Sequence, residues 1–316
     1  MGSLFATAVL GAQILIPVTL AGASGAPPQP TSRIAKLTLA QRVARVPFSI
    51  RLEDQFLAAL HYLPLELKQP VTSVATTTTT TSTTTTTSTV PTTSSTTTAT
   101  SPVPTTSSTT TTTTPPPSVS TALSTTLVKG NFVWRFPSLP GSLKSHWSVG
   151  TDNVVLEGAL MRFQSDHNLP TTGANSPASW HAIVTAVIEK KYDPTNYSYV
   201  LVSQRVPQEL KLYINGKVVF STAVNTGITA SPTQNGTYPV YLRYTTTTMS
   251  GTNPDGSKYH DTGIPWVSYF HGGDALHGFL RSQYGYPQSL GCVEMTFAHA
   301  AVVWPHTPIG TLVTVQ

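Results

Sequence analysis

The residues with the clearest chemical potential are one cysteine and one histidine in the C-terminal part of the chain. Cys292 is the only cysteine among 316 residues, and His277 lies 15 residues before it. A single cysteine cannot close an intramolecular disulfide, form a Cys-x-x-Cys redox pair or supply two thiolates to zinc. It can act as a nucleophile if a nearby imidazole takes its proton. From these residue types alone, Cys292 is a nucleophile, an intermolecular bridge or an inert buried thiol.

Glycines next to both groups favour the nucleophile. Gly278 follows the histidine and Gly291 precedes the cysteine, so the backbone can approach a reacting carbonyl closely. We expect the amides of Gly291 and Cys292 to point at the oxyanion that develops during attack.

The elements that must position these groups are predicted to be strands. Short β-rich runs occur at 199–202, 209–214, 218–220 and 238–241, and a last one ends the chain at 310–315. Asn215-Gly216 between two of these runs is a strong hairpin signal. About 120 residues are available here, enough for one mainly β domain with its own core.

Helical periodicity occurs earlier, on both sides of a threonine-rich tract. The apolar positions are Leu52, Phe56, Leu60 and Leu63 before the tract, then Leu156, Leu160 and Phe163 after it. A third helix is predicted to begin at Ser176-Pro177, with Trp180, Val184 and Val187 on its apolar face. The sequence therefore predicts a small three-helix module.

The tract itself, at 72–126, is nearly all Thr, Ser and Pro. Such a composition cannot bury enough apolar surface to offset the entropy of ordering, so we expect a disordered tether.

The N-terminus has the features of an export signal. An apolar run at 4–20 is followed by small residues that suit a signal peptidase, although no Lys or Arg precedes the run. We expect a signal peptide at 1–26, or an uncleaved N-terminal membrane tether, and an exported, extracytoplasmic protein.

The composition of the chain limits which classes of binding partner are expected. The net charge is +5 and the pI is about 9.3, which fits an anionic partner such as the cell wall. There is no clustered basic stripe or aromatic RNA-binding motif, so we expect no nucleic-acid partner. No ligand spacing for a metal is present, and we predict neither metal nor cofactor, and a monomer.

The C-terminal region resembles the L,D-transpeptidase catalytic domain of the YkuD family. That family's signature is His-Gly, a spacer, then Ser-His-Gly-Cys-Val-Arg/Asn, and the matching residues here are His277-Gly278, Ser289 and Gly291-Cys292-Val293. Further likeness occurs at 208–216, 225–227, 232–238 and 310–313. Leu290 replaces the signature's second histidine, and Glu294 replaces its Arg or Asn.

The resemblance implies a role for each residue. Cys292 would be the nucleophile, His277 the general base, and the Gly278 carbonyl the group that orients the imidazole. Ser289 occupies the family's serine position and is expected to contact substrate. Apart from the resemblance, the segment at 244–270 is long and rich in Thr, Gly and aromatic residues, which makes it a candidate lid with Tyr259, Trp266 and Tyr269 as candidate substrate-binding faces. Ordinary loop and core packing is the alternative for each of these aromatic residues.

The reaction implied is acyl transfer on peptidoglycan stem peptides. The thiol would attack the third stem residue, expel D-Ala and form a thioester. Capture by an amine of a second stem would give a 3→3 cross-link, whereas capture by water would give L,D-carboxypeptidase activity. The family's sensitivity to carbapenems would follow from the same cysteine.

The helical part resembles the small peptidoglycan-binding domain, through 59–64, 161–164, 169–173 and Trp180. A generic helical bundle that packs on the catalytic domain is the alternative. The fold class predicted is α+β: a mainly β, mixed-sheet sandwich plus a three-helix module joined with a disordered segment. The boundaries are a signal peptide at 1–26, a segment with the first helix at 27–71, the tract at 72–126, the rest of the module at 127–191 and the catalytic domain at 198–316.

The same residues bear on three competing functions. A sortase needs an arginine after its cysteine, and no Lys or Arg follows Cys292. NlpC/P60 peptidases have the nucleophile before the histidine, the reverse of the order here. A catalytically impaired peptidoglycan-binding protein remains open, because Leu290 and Glu294 depart from the signature.

Overall fold

A computed structural model describes residues 37–68 and 129–316. The predicted signal peptide and the threonine-rich tract lie outside the described residues. The described residues from Leu39 to Gln316 belong to one compact unit. No helix within the described part of the chain is long and apolar enough to cross a membrane.

In the helical part, the described residues form five helices and a two-stranded sheet. The helices are α1 (Leu39–Val43), α2 (Ile50–Ala59), α3 (Gly141–Lys144), α4 (Val154–Asp166) and α5 (Pro177–Glu189), and the strands are β1 (Leu65–Lys68) and β2 (Asn131–Trp134). Helices lie at all three predicted segments, but α1, α3 and the sheet were not predicted from periodicity. These elements are too short for a periodic pattern to stand out.

Side-chain caps fix where the longer helices begin. Ser176 accepts a hydrogen bond from the Ser179 amide, with proline at the first helical position of α5. Asn153 caps α4 by accepting from the amides of Val155 and Leu156. An asparagine oxygen satisfies amides that have no partner within the helix.

The two sides of the threonine-rich tract are adjacent in space. Strands β1 and β2 are antiparallel, and Lys68 pairs with Asn131. The chain therefore leaves and re-enters the fold at neighbouring positions of one sheet.

The helical part shares a hydrophobic core with the β domain. Leu57, Phe163 and Trp180 belong to the same buried cluster as Tyr199 and Leu312 from the domain's sheet. Contact is close at Gly158 of α4, where an added Cβ would lie 2.7 Å from the Gly310 carbonyl oxygen. The helices are thus packed directly on the β domain.

The β domain consists of two sheets. Its strands are β3 (Ser198–Ser203), β4 (Glu209–Ile214), β5 (Lys217–Ala223), β6 (Gly236–Pro239), β7 (Leu242–Thr252), β8 (Lys258–His271), β9 (Asp274–Gly278), β10 (Val293–Met295) and β11 (Leu312–Val315), with helix α6 at Phe297–Val303 and a 3₁₀ turn at Trp304–His306. One sheet has the order β5-β4-β3-β11-β6 and the other β10-β9-β8-β7.

Both sheets are mixed, as predicted. The pairs β3/β11 and β9/β10 are parallel, and the other strand pairs are antiparallel. A second buried cluster joins the sheets and α6, and it contains Val200, Val313, Leu276, Val293 and Val303. This core holds strands β9 and β10, which carry the candidate site.

Candidate active site

Register places the histidine and the cysteine on one face of the sheet. In the parallel pair, Leu276 of β9 lies opposite Val293 of β10, and both side chains are in the core. Because side chains alternate along a strand, His277 and the adjoining Cys292 point to the opposite face. Both line one cavity of about 750 Å³.

The imidazole of His277 is held by its own neighbour. His277 is 2 % exposed, and its Nδ1 lies 3.1 Å from the Gly278 carbonyl oxygen. Since a carbonyl can only accept, the contact requires the proton on Nδ1 and leaves Nε2 of the neutral ring free to take a proton. Burial lowers the pKa of His277 below its ordinary value, against smaller upward effects of the Gly278 carbonyl and Glu294.

The thiol of Cys292 is half-buried and protonated. Its Sγ lies 3.6 Å from the Gly273 carbonyl oxygen. The pKa of Cys292 is raised to about 12, chiefly by burial; the Ala275 backbone acts to lower it, and the carboxylates of Asp274 and Glu294 act with burial to raise it. The resting pair is therefore a neutral thiol and a neutral imidazole. Such a pair can react by proton transfer during attack rather than through a preformed thiolate.

Ser289 shapes the cysteine loop instead of lining the cavity. It is 1 % exposed, and its hydroxyl donates to the Cys292 carbonyl at 2.5 Å. The same oxygen accepts the Gly291 amide at 3.2 Å. This corrects two expectations: Ser289 is buried and does not line the cavity, and the Gly291 amide, expected to hold an oxyanion, already donates to Ser289.

Gly291 is required by its conformation and by its neighbour. Its φ of +117° lies in the region that favours glycine. A Cβ at this position would lie 2.3 Å from Oδ1 of Asp274. The close approach holds the Asp274 carboxylate against the residue that precedes the nucleophile.

Thr233 ties the cysteine loop to the loop that follows β5. Its hydroxyl accepts the Gly227 amide at 2.8 Å and donates to the Gly291 carbonyl at 2.7 Å. Ser231 makes a parallel contact, since its hydroxyl donates to the Leu290 carbonyl at 3.0 Å. Thr233 is 2 % exposed, so these hydrogen bonds have little competition from water.

We expect Thr233→Val to weaken both the fold and acyl transfer. Valine has nearly the same shape but leaves the Gly227 amide and the Gly291 carbonyl without a partner, at about 1–3 kcal/mol for each unsatisfied group. Displacement of the adjacent nucleophile should slow acylation of Cys292 by about tenfold or more. Thermal unfolding and acylation rates measure the two effects.

Thr233→Ser, which keeps the hydroxyl, is the matched control and should stay near the wild type. If Thr233→Val had the unfolding temperature and acylation rate of the wild type, the hydrogen bonds of Thr233 would not hold the cysteine loop in place.

Glu294 is paired with an arginine that the sequence analysis missed. Arg281 donates from Nε to Oε2 of Glu294 at 2.7 Å and from Nη2 to Oε1 at 2.8 Å. Glu294 is 4 % exposed and lies opposite His277 in the register of β9 and β10. The guanidinium also lies over the Phe279 ring, 4.7 Å from its centroid. One signal could have found Arg281: it is the only Lys or Arg after Lys258.

The predicted lid is a long hairpin. Strands β7 and β8 pair from Leu242 with Tyr269 to Thr252 with Lys258. Tyr259 and Tyr269, two of the candidate substrate-binding residues, line the cavity, and Leu290 lines it too. Trp266 does not: it packs against the second core and lies 5.4 Å from the Trp304 ring. The expectation that Trp266 lines the substrate site is therefore corrected. Strand β8 is irregular here, so the alternation of side chains does not predict which face Trp266 occupies.

In residues 37–68 and 129–316, no three His, Cys, Asp or Glu side chains lie close enough together to hold a metal ion.

The β domain matches a known family model. Residues 197–315 match the YkuD model, described as the L,D-transpeptidase catalytic domain. The mainly β, mixed-sheet architecture of this region is consistent with that domain. No curated protein matches the chain.

Solved structures give more distant likenesses. An L,D-transpeptidase from Mycobacterium smegmatis is 18% identical, with 40% of this chain and 61% of that chain covered and a TM-score of 0.35. The catalytic domain of an E. faecium L,D-transpeptidase is 23% identical over 39% of this chain and 100% of that one, with a TM-score of 0.35. An L,D-transpeptidase from Stackebrandtia nassauensis is 19% identical, with 55% of this chain and 85% of that chain covered and a TM-score of 0.30. The match thus spans about three fifths of the length of the M. smegmatis protein.

Proposed function

We propose that this protein is an exported cell-wall L,D-transpeptidase that forms 3→3 cross-links through a thioester on Cys292. One observation carries the proposal. Cys292 and His277 line the same cavity, on one face of the β9/β10 pair, in a region that matches the L,D-transpeptidase catalytic domain.

In the first half-reaction, Cys292 attacks the carbonyl carbon of the third residue of a donor stem. The thiol proton passes to Nε2 of His277 as the S–C bond forms. The C–N bond to the terminal D-Ala then breaks, and the imidazolium gives its proton to the leaving amine. The Gly278 carbonyl stabilises the imidazolium while it exists, in the place of a triad acid.

In the second half-reaction, an amine of another stem attacks the thioester. The new C–N bond forms, the C–S bond breaks, and His277 transfers the amine proton to the sulfur. Because the Gly291 amide donates to Ser289, we assign the oxyanion in both steps to the Cys292 amide, with Gly291 joining only if Ser289 releases it.

The helical part is proposed to bind peptidoglycan, and residues 1–26 to direct export. Both extend the proposal to the whole chain and can be tested separately by sacculus binding and by sequencing the mature N-terminus. We further propose that the protein acts as a monomer without a cofactor.

A second candidate is a catalytically impaired wall-binding protein. The raised pKa of the Cys292 thiol favours it, since a protonated thiol is a poor nucleophile when no base assists. A third candidate is an L,D-carboxypeptidase, in which water rather than an amine attacks the thioester and the stem peptide is shortened.

The deciding experiment is acylation of the purified full-length chain by a carbapenem, followed by intact-mass measurement. Because Cys292 is the only cysteine, one adduct per chain that is lost with Cys292→Ala identifies the site. Release of D-Ala from a tetrapeptide stem, with a dimeric product, would establish transpeptidation. Absence of any adduct and of D-Ala release, in a folded protein that still binds sacculi, would replace the enzyme proposal with the wall-binding one.

A further inference from the structure

We propose that Asp274 selects a cationic acyl acceptor by binding its ammonium group beside the thioester on Cys292. The inference rests on the proposed acyl-transfer function and adds to it a residue that separates amine acceptors from water. Neither the sequence pattern nor the family match assigns Asp274 a role.

The charges of the cavity leave it acidic. Besides His277, the charged residues that line it are Asp261, Asp274, Arg281 and Glu294. The only guanidinium of this lining is bound by Glu294 through two charge-assisted hydrogen bonds at 2.7 and 2.8 Å. Since that pair cancels its own charge, two carboxylates remain to face an incoming substrate.

Of the two, Asp274 is on the side of the nucleophile. It follows Gly273, whose carbonyl oxygen lies 3.6 Å from the Cys292 Sγ, and its Oδ1 packs against Gly291. Its charge also acts to raise the pKa of Cys292, whereas the charge of Asp261 acts on His277 and Arg281. Asp274 is therefore the carboxylate that lies beside the position of the thioester.

One oxygen of the Asp274 carboxylate has polar partners, whereas the other, beside Gly291, can still accept a hydrogen bond. Oδ2 accepts the Gln234 amide at 3.2 Å and lies 3.7 Å from Nδ1 of His271. Oδ1 has no hydrogen-bond partner among the residues that the structure describes. A side chain fixed in this way keeps an acceptor atom aimed beside Gly291 without reorganisation when the ligand binds.

Partial burial makes a cation a favourable ligand. The Asp274 side chain is 13% exposed, and burial raises the pKa of its carboxyl above the ordinary value. The ionised form therefore lacks part of its hydration, which an ammonium can replace with a charge-assisted hydrogen bond. A carboxylate-bearing acceptor would be repelled, and water would gain nothing.

Attack of the bound acceptor on the thioester needs no further reactant. The bound ammonium releases one proton to solvent, and the neutral amine then attacks the thioester carbon. A C–N bond forms, the C–S bond breaks, and the second amine proton returns to sulfur through His277. The products are an amide and the free thiol.

The test compares amine capture with hydrolysis in the full-length wild type, Asp274→Asn and Asp193→Asn. Each protein is acylated with a tetrapeptide stem and offered glycinamide, which is cationic, or hydroxylamine, which is uncharged near neutral pH. Amide, hydroxamate and free acid are quantified by mass spectrometry. Asp193, which lies outside the cavity lining, provides a matched loss of one carboxylate.

We expect Asp274→Asn to lower the amide-to-acid ratio with glycinamide by about tenfold, because the variant loses one charge-assisted hydrogen bond to the ammonium group. The hydroxamate ratio should stay within about twofold, and Asp193→Asn should match the wild type with both amines. Added salt should reduce glycinamide capture in the wild type more than in Asp274→Asn.

An unchanged glycinamide ratio in Asp274→Asn would overturn the inference while leaving the proposed function in place. An equal loss with hydroxylamine would also overturn it, because Asp274 would then act only by shaping the loop. Failure of the wild type to form any thioester would overturn the proposed function and the inference together.

Discussion

Cys292→Ala is expected to release no measurable D-Ala from a tetrapeptide stem and to form no carbapenem adduct. The sequence offers no other thiol, so no side chain can take over the thioester. We expect the rate of D-Ala release to fall by about 10⁴-fold or more, the scale seen when a covalent nucleophile is removed. Mass spectrometry of the released amino acid and of the intact protein measures both effects.

Cys292→Ser is the matched variant, because it keeps a nucleophilic atom of similar position. A hydroxyl is far less acidic than a thiol, so this protein should be nearly as inactive as the alanine variant. Both should unfold close to the wild-type temperature, since serine keeps the size of the side chain and alanine removes only one atom, which packs at the edge of the small cluster of Ile264, Val267 and Ala275. D-Ala release at the wild-type rate by either variant would remove Cys292 from the mechanism.

The chemistry of the site could be predicted from residue types more readily than its surroundings. His277 and Cys292 carry unusual side chains and lie beside glycines, so their potential is visible along the chain. Their meeting depends on one parallel strand pair, β9 with β10, and strand order is set by long-range pairing. Residue types indicated the two reactive groups, and only the fold indicates which neighbours modify them.

The ion pair of Arg281 and Glu294 illustrates what periodicity cannot reveal. The two residues are 13 positions apart, on a loop and a strand that the turn after β9 brings together. A sequence pattern records neither the bend nor the burial of Glu294. The departure of Glu294 from the signature's Arg or Asn was therefore visible in the sequence, whereas its pairing with Arg281 was not.

Side-chain direction was the other source of error. Ser289 and Trp266 were expected to contact substrate because of where they fall in the sequence. Ser289 instead turns inward to the backbone of Gly291 and Cys292. Trp266 has a φ of +58°, in an irregular stretch of β8, so simple alternation does not predict which face it occupies.

His277→Ala should slow acylation of Cys292 by about 10²- to 10⁴-fold, the usual contribution of a positioned general base. The reason is the protonation state of the pair. With the pKa of the thiol raised to about 12, attack at neutral pH requires a base at the moment the S–C bond forms. Without the imidazole, only the small thiolate fraction that hydroxide produces can react.

The pH dependence distinguishes this mechanism from a preformed ion pair. In the wild type, the acylation rate should rise with pH as His277 loses its proton, with a midpoint below the ordinary histidine pKa because burial disfavours the imidazolium. Above that midpoint the rate should be flat through neutral pH, since the thiol stays protonated. In His277→Ala the acidic limb should disappear, and the rate should rise about tenfold per pH unit as the thiolate forms.

Exogenous imidazole gives a readout that a structural role would not produce. It should restore part of the acylation rate to His277→Ala, because a small base can occupy the space left in the cavity, and should not accelerate the wild type. His306→Ala is the matched control, since His306 is exposed on the turn after α6 and should not alter the profile. A His277→Ala protein that keeps the wild-type pH profile would show that the imidazole takes no proton from Cys292. The rate would then have to come from a thiolate whose pKa the cavity lowers, contrary to the burial of the sulfur beside two carboxylates.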